Sequence, residues 1–228
     1  SILNITNATC LFSSNVFEEA VPFLKQLEAD ELLEILSIKD SEGRIPLCYL
    51  DVFEVVISFF NELPAEVLIR IFSIVNDEGI VLLNDPNMFE AAIPLLSILD
   101  QKTVVAILSV VNAHGMTTLN YYDVFEAAMP LLKTLEDEGL LAVLSLTDNE
   151  GWTPLDYAEI FEVAIPLFEA LKRREKWSTV VKIFSIINKN NTACLFNRRV
   201  FNAAIPFFKT LDADELLEIF SIEDNGLS

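Results

Sequence analysis

A twelve-residue stretch recurs six times along this chain and constrains its fold more than any other feature. The copy at residues 124–135 reads VFEAAMPLLKTL, and each related segment has a phenylalanine at the same place. These phenylalanines are Phe17, Phe53, Phe89, Phe125, Phe161 and Phe201, so the spacing is 36 residues four times and 40 once. A fixed period in this range is typical of arrays in which each unit buries its apolar face against its neighbours. The sequence therefore predicts a repeat array.

The period runs through residues 1–228 without an internal boundary, so we expect one array rather than separate domains. A partial unit at 1–14 precedes units at 15–50, 51–86, 87–122, 123–158, 159–198 and 199–228. Neither end carries an obviously polar unit, which helical arrays use as a cap. We therefore expect this sequence to be a portion of a longer array, or its ends to be covered by other segments.

Each unit predicts two helices. The first is predicted to begin near Val52 and its equivalents and to run about twelve residues, because capping-box pairs precede it (Asp51 with Glu54, Asn87 with Glu90, Asp123 with Glu126). Its predicted last residues are Leu27, Leu63, Leu99, Leu135, Leu171 and Leu211. The pair Asp212 and Glu215 predicts the start of a second helix, and Leu32, Leu33, Ile35, Leu36 and Ile38 form its apolar stripe. The fold class is therefore all-α, a solenoid of about six 36-residue helix-turn-helix repeats.

Three further positions recur in every unit or nearly every unit. Five of the six first helices contain an internal proline, which bends a helix and so predicts a regular curvature: Pro22, Pro94, Pro130, Pro166 and Pro206, with Ser58 in the exception. Ten residues before each repeat phenylalanine stands a glycine or asparagine: Asn7, Gly43, Gly79, Gly115, Gly151 and Asn191. These residue types tolerate positive φ, so this position predicts a tight turn. A leucine six residues before each phenylalanine is predicted to anchor the turn: Leu11, Leu47, Leu83, Leu119, Leu155 and Leu195.

The turn motif resembles a known family. Residues 149–158 read NEGWTPLDYA, similar to the ankyrin-repeat opening Gly-x-Thr-Pro-Leu-His-x-Ala, and weaker copies begin at Gly115 and Gly43. We identify a divergent ankyrin-like array, which implies a non-catalytic protein–protein interaction scaffold. Such arrays are frequent in effectors that intracellular bacteria deliver into host cells, so the resemblance also implies a cytoplasmic protein, in the host cytoplasm if it is secreted.

A second resemblance supports an alternative. Residues 103–109, followed by a helix that contains Pro130, are similar to the helix pair of TAL-effector-like DNA-binding repeats. This alternative implies a nucleic-acid-binding array. A third reading is a structural spacer within a larger enzyme.

Composition bears on these alternatives. With 52% hydrophobic residues the chain can bury a core, and no apolar run approaches the length of a membrane span. The net charge of −20 argues against general nucleic-acid binding, which needs lysine and arginine. The exception is residues 172–209, where nine basic side chains accompany one acidic residue, Glu175.

No motif identifies a reaction. His114 is the only histidine and lies in a predicted turn without a partner for a catalytic relay. The acidic residues recur at helix starts and turns, where they stabilise helices. The three cysteines have no metal-like spacing, and Cys10 and Cys194 occupy equivalent positions, which indicates small buried free thiols in a reducing environment. We expect no enzyme, no cofactor and no metal site.

The candidate partner-binding site is residues 172–177, a segment that includes the four extra residues of the fifth unit and is called the insertion below. It contains Lys172, Arg173, Arg174, Lys176 and Trp177. Arginine and tryptophan are typical anchors of protein interfaces. The segment is either a solvated basic loop or a docking site for an acidic partner, a phosphate-bearing ligand or an anionic membrane surface. Contact with the acidic face of another copy would make it a site of self-association.

Overall fold

The computed structural model describes residues 10–223 and is all-helical over that range. The long helices are α1 (Ser14–Leu24), α3 (Leu50–Phe60), α5 (Pro86–Leu96), α7 (Tyr122–Leu132), α9 (Ala158–Arg173) and α11 (Arg198–Phe208). The short helices are α2 (Ala29–Leu36), α4 (Ala65–Phe72), α6 (Gln101–Leu108), α8 (Asp137–Leu144), α10 (Trp177–Phe184) and α12 (Ala213–Phe220). A 3-10 turn precedes each long helix: Cys10–Phe12, Pro46–Cys48, Leu82–Asn84, Thr118–Asn120, Pro154–Asp156 and Cys194–Phe196. The outermost parts of the predicted units at 1–14 and 199–228, with Asn7, lie outside the described residues.

The chain divides into two compact units, Ser1–His114 and Gly115–Ser228. These are called the first and second unit, and the 36-residue segments are called repeats. In the first unit α1 packs on α3 and α3 on α5, while α2 packs on α4 and α4 on α6. In the second unit α7, α9 and α11 form one row and α8, α10 and α12 the other. Within each unit, long helices thus pack side by side in one layer and short helices in a second layer.

The repeat phenylalanines lie in the core of each unit. Phe17, Phe53, Phe89, Phe125 and Phe161 are fully buried, whereas Phe201 on α11 is 38% exposed. The anchoring leucines are buried in four repeats and half-buried at Leu11 and Leu195. The predicted stripe of α2 is buried at Leu32, Leu33 and Leu36, while Ile35 is half-buried and Ile38 lies exposed beyond the helix end.

The predicted boundaries of the long helices were wrong at both ends. The caps predicted at Asp51, Asn87 and Asp123 lie inside helices whose N-cap residues are Tyr49, Asp85 and Tyr121. The preceding 3-10 turn leaves Tyr49 and its equivalents extended, so the helix begins directly after them. The acidic residues instead lie in the first turn, where they interact favourably with the helix N-terminus. Five long helices end three residues before the predicted leucine, and α9 runs two residues beyond it. The capping box of α12 is confirmed, because Asp212 accepts from the Glu215 amide and Glu215 from the Asp212 amide, both at 2.9 Å.

The predicted internal prolines are confirmed inside α1, α5, α7, α9 and α11. The predicted turn conformation is confirmed as well. Gly43, Gly79, Gly115, Gly151 and Asn191 all have positive φ, between 61° and 88°. The carbonyls of these glycines accept hydrogen bonds from the next turn along the chain: Gly43 from Asp77 (3.0 Å), Gly79 from Ala113 (2.8 Å), Gly115 from Asn149 (3.0 Å) and Gly151 from Lys189 (2.9 Å). A Cβ atom at Gly151 would lie 2.1 Å from that of Lys189, so this contact also requires glycine.

Among the described residues, none of the helices has the length and apolar character that a membrane crossing requires. The cysteines at 10, 48 and 194 are free thiols. Cys194 is buried as predicted, and burial raises the pKa of its thiol, whereas Cys10 is only half-buried.

Candidate partner-binding site

The insertion in the fifth repeat lengthens a helix instead of forming the predicted loop. Helix α9 has 16 residues, whereas the other long helices have 11. Lys172 and Arg173 form its last turn, where positive charge is favourable. The helix ends in a Schellman motif, since the Lys176 amide donates to Leu171 O and the Glu175 amide to Lys172 O, both at 3.0 Å. Glu175 occupies the position that usually holds glycine, with φ of 59°. The missing glycine left no sequence signal for this helix end.

Two residues of the insertion bind the following helix pair. Lys172 Nζ donates to Glu215 Oε2 at 2.5 Å and to Thr210 O at 3.0 Å. Trp177 Nε1 donates to the carboxylate of Glu218. Lys172 Nζ also lies 6.0 Å from the centre of the Trp177 ring, within range of a cation–π interaction. These contacts fasten the start of α10 and the end of α9 to α12.

Two others bind the preceding helix pair. The Arg174 guanidinium donates to Lys133 O at 2.9 Å, just after α7. Lys176 Nζ donates to Asp137 Oδ1 at 2.6 Å, and Thr179 donates to the other oxygen of the same carboxylate at 2.6 Å. The hydrogen bonds from Lys176 and Thr179 lower the pKa of Asp137. The insertion therefore braces α9 and α10 against a helix pair on each side.

Arg173 is one of the two exposed basic residues of the predicted site. Its side chain is 71% exposed, and its nearest carboxylate is Glu169, at 4.0 Å on the same helix. Arg174 is also exposed, although its guanidinium donates a hydrogen bond to Lys133 O. The structure thus brings all five predicted residues together, but it gives Lys172, Lys176 and Trp177 carboxylate partners from neighbouring helices. Those partners are 39 to 43 residues away in sequence, and the repeat pattern alone did not indicate them.

Two partly buried polar clusters in the turns were not predicted. Asp40 accepts hydrogen bonds from Tyr49 Oη (2.5 Å), the Arg44 amide (2.9 Å) and the Glu42 amide (2.8 Å). Burial opposes ionisation of Asp40, but these bonds outweigh it and lower its pKa to about 2. Asp148 likewise accepts from Tyr157 Oη (2.5 Å) and the Trp152 amide (2.9 Å). Both carboxylates fasten a turn to the residue before a long helix, which is a structural task.

The remaining polar residues considered from the sequence also lie in turns. His114 is exposed, and its Nε2 lies 3.0 Å from Glu78 O. Asp77 binds Lys39 at 2.5 Å. Within residues 10–223 no group of three or more His, Cys, Asp or Glu side chains is arranged to hold a metal ion.

Comparison of the sequence with models of protein families finds no match, and none of the curated proteins matches it either. The resemblance to ankyrin repeats therefore remains a prediction from the turn motif.

Proposed function

We propose that this chain is a helical-repeat solenoid, ankyrin-like in its turns, that acts as a non-catalytic scaffold for a protein partner. Two features of the described residues support the solenoid. Helix pairs follow one another at a nearly constant period, and each turn donates a backbone hydrogen bond to the glycine of the turn before it within each unit. Contacts between neighbouring repeats stabilise such arrays.

The observation that carries the scaffold proposal is a row of exposed carboxylates within each of the two units, at the same position of each repeat. Each glutamate that follows a repeat phenylalanine is exposed: Glu18, Glu54 and Glu90 in the first unit, and Glu126 and Glu162 in the second. They lie on long helices that pack side by side within each unit. Repeat arrays bind partners through extended surfaces built from such equivalent positions.

The charge of the last long helix breaks this pattern. Asn202 takes the place of the glutamate, and the exposed Arg198 and Arg199 precede it. In the same unit, Arg173 is exposed at the end of α9. A partner with both basic and acidic patches would match this surface, and complementary charge would set its orientation and accelerate its binding. Because Lys172, Lys176 and Trp177 already have carboxylate partners, Arg173 and Arg174 are the insertion residues we assign to partner binding.

The test uses charge-reversal variants on the two surfaces. The immobilised chain captures candidate partners, and the affinity of each purified candidate is measured for the parent, for Arg173→Glu with Arg174→Glu, and for Glu54→Lys with Glu90→Lys. Glu28→Lys with Glu66→Lys is the matched control, because both residues are exposed but lie outside the glutamate row. Loss of affinity in either surface variant, with the control unchanged, would support the proposal. Equal affinity for all four proteins, or no partner that binds when purified, would contradict it.

A further inference from the structure

The last helix pair, α11 and α12, presents an exposed apolar face. Phe196, Phe201 and Phe220 are 48%, 38% and 55% exposed. With Leu195, Ile219 and Ile222 they line a cleft of about 220 Å³ that is open to solvent. The residues equivalent to Phe220 in the earlier short helices are all buried: Leu36, Phe72, Leu108, Leu144 and Phe184.

The buried junction at which α11 packs on the preceding helix pair, α9 and α10, shows which kind of side chain such a face binds. Phe207 of α11 packs against Phe168 of α9 and Phe184 of α10, with ring centres 5.7 and 5.9 Å apart. Phe168 and Phe184 contact each other edge to face at 4.9 Å. All three rings are fully buried. An edge-to-face pair of aromatic rings thus receives an aromatic side chain from the next long helix.

The same receiving pair recurs one repeat later. Phe208 and Phe220 stand 40 and 36 residues after Phe168 and Phe184, and they too meet edge to face, at 5.4 Å. Phe201 stacks against Phe220 at 6.1 Å. The last helix pair therefore repeats the geometry of the buried junction on an exposed surface.

The residue of the first long helix, α1, that is equivalent to Phe207 is exposed. Phe23 stands six residues after its repeat phenylalanine, as Phe207 does, and it is 70% exposed. Its other equivalents are buried: Phe59, Leu95, Leu131 and Leu167. Val16 on the same helix is exposed too, whereas its equivalents Val52, Met88, Val124, Ile160 and Val200 are buried.

We propose that a second copy of this chain docks its α1 face onto the α11 and α12 face, with Phe23 of one copy between Phe208 and Phe220 of the other. The contact continues an interface that the fold already uses between successive helix pairs. It joins two different surfaces, so it is a head-to-tail association. This inference is independent of the partner proposed above.

Charge opposes the association at low salt. Within the first unit, Arg70 binds Asp30 of the preceding helix pair at 2.7 Å. The equivalent residues across the proposed contact are Glu34 and Asp214, which repel each other. Each copy also carries a net charge of −20. Because salt screens such repulsion, association should strengthen as ionic strength rises.

Sedimentation velocity of the full chain, over a concentration series at low and high salt, tests the proposal. The variants are Phe23→Ser, Phe220→Ser and an equimolar mixture of the two. Ile98→Ser is the matched control, since Ile98 is 66% exposed but lies on neither face. Circular dichroism checks that each variant remains folded, and Leu217→Ser, at a 67% exposed position on α12, is the alternative if Phe220→Ser does not fold.

We expect the parent and Ile98→Ser to associate in high salt, and each face variant alone to associate roughly tenfold more weakly or not at all. The mixture should form a 1:1 heterodimer, because each variant keeps the face that the other has lost. A monomeric parent at every concentration and salt would overturn the proposal. So would association that survives Phe23→Ser, since that result would indicate pairing of two identical faces.

Discussion

Two successive helix pairs of the second unit, α9 with α10 and α11 with α12, have nearly the same apolar pattern but different exposure. Phe161 and Phe184 of the first pair are fully buried, whereas their equivalents Phe201 and Phe220 are 38% and 55% exposed. The first pair has a neighbour on each side, and its neighbour α11 covers it. Burial in this fold therefore depends on the adjacent pair as much as on the residue itself.

The largest expected difference between the two pairs is in core truncation. Phe184→Ala should lower the free energy of unfolding by about 3–5 kcal/mol, because a buried ring that contacts Phe161, Phe168 and Phe207 leaves a cavity. Phe220→Ala should cost about 1 kcal/mol or less, because that ring is already largely solvated. Urea denaturation followed by circular dichroism measures both values. Equal losses would show that the two pairs are equally packed.

The turns that precede the two pairs should differ next. Gly151→Ala should cost about 2 kcal/mol, because φ is +88° there and the new Cβ would overlap that of Lys189. Asn191→Gly, at the equivalent turn before α11, should change stability by less than about 1 kcal/mol, since φ there is +61° and both residue types tolerate it. The urea denaturation midpoints of the two variants, compared with that of the parent, measure these changes in stability. A neutral Gly151→Ala would mean that the turn can relax.

A smaller gain is expected at the end of α9, which has no counterpart in α11. Glu175→Gly should raise stability by about 0.5–1 kcal/mol, because glycine adopts φ near +60° without strain. The control is Glu169→Gly inside the same helix, which should lower stability by a similar amount. The shift in thermal midpoint has opposite sign in the two variants if the Schellman motif is correct. A loss in both would contradict it.

The smallest effect concerns a carboxylate that only the first pair possesses. Asp156 is buried where the second pair has Phe196, and burial, with a contribution from Asp148, raises its pKa. The folded state therefore holds this proton more tightly than the unfolded state, so Asp156 makes stability fall as pH rises from the ordinary carboxyl pKa through the raised value.

Asp156→Asn removes that dependence, and asparagine already occupies this position in two other repeats, at Asn84 and Asn120. The variant should gain stability relative to the parent between acidic and neutral pH, measured as the difference between the two unfolding free energies. A difference that does not change with pH would show that Asp156 titrates normally.

Much of the fold follows from local sequence. The repeat phenylalanines, the internal prolines and the positive-φ turns were predictable because each depends on its own residue type. The helix boundaries were not, since the extended conformation of Tyr49 and Tyr121 is set by the 3-10 turn before each helix. At the candidate site, the composition was evident but the pairing was not, because Asp137 and Glu215 reach Lys176 and Lys172 from adjacent helix pairs.

Hydrogen exchange along the second unit, in dilute and monomeric protein, measures most directly how far each helix pair depends on its neighbours for stability. If stacking between successive pairs provides most of the stability, amides of α12 should exchange at least about tenfold faster than those of α10, because within residues 10–223 the only short helix that packs on α12 is α10. Protection that is equal in α10 and α12 would contradict this dependence on neighbouring pairs, since each pair would then be stable without the next.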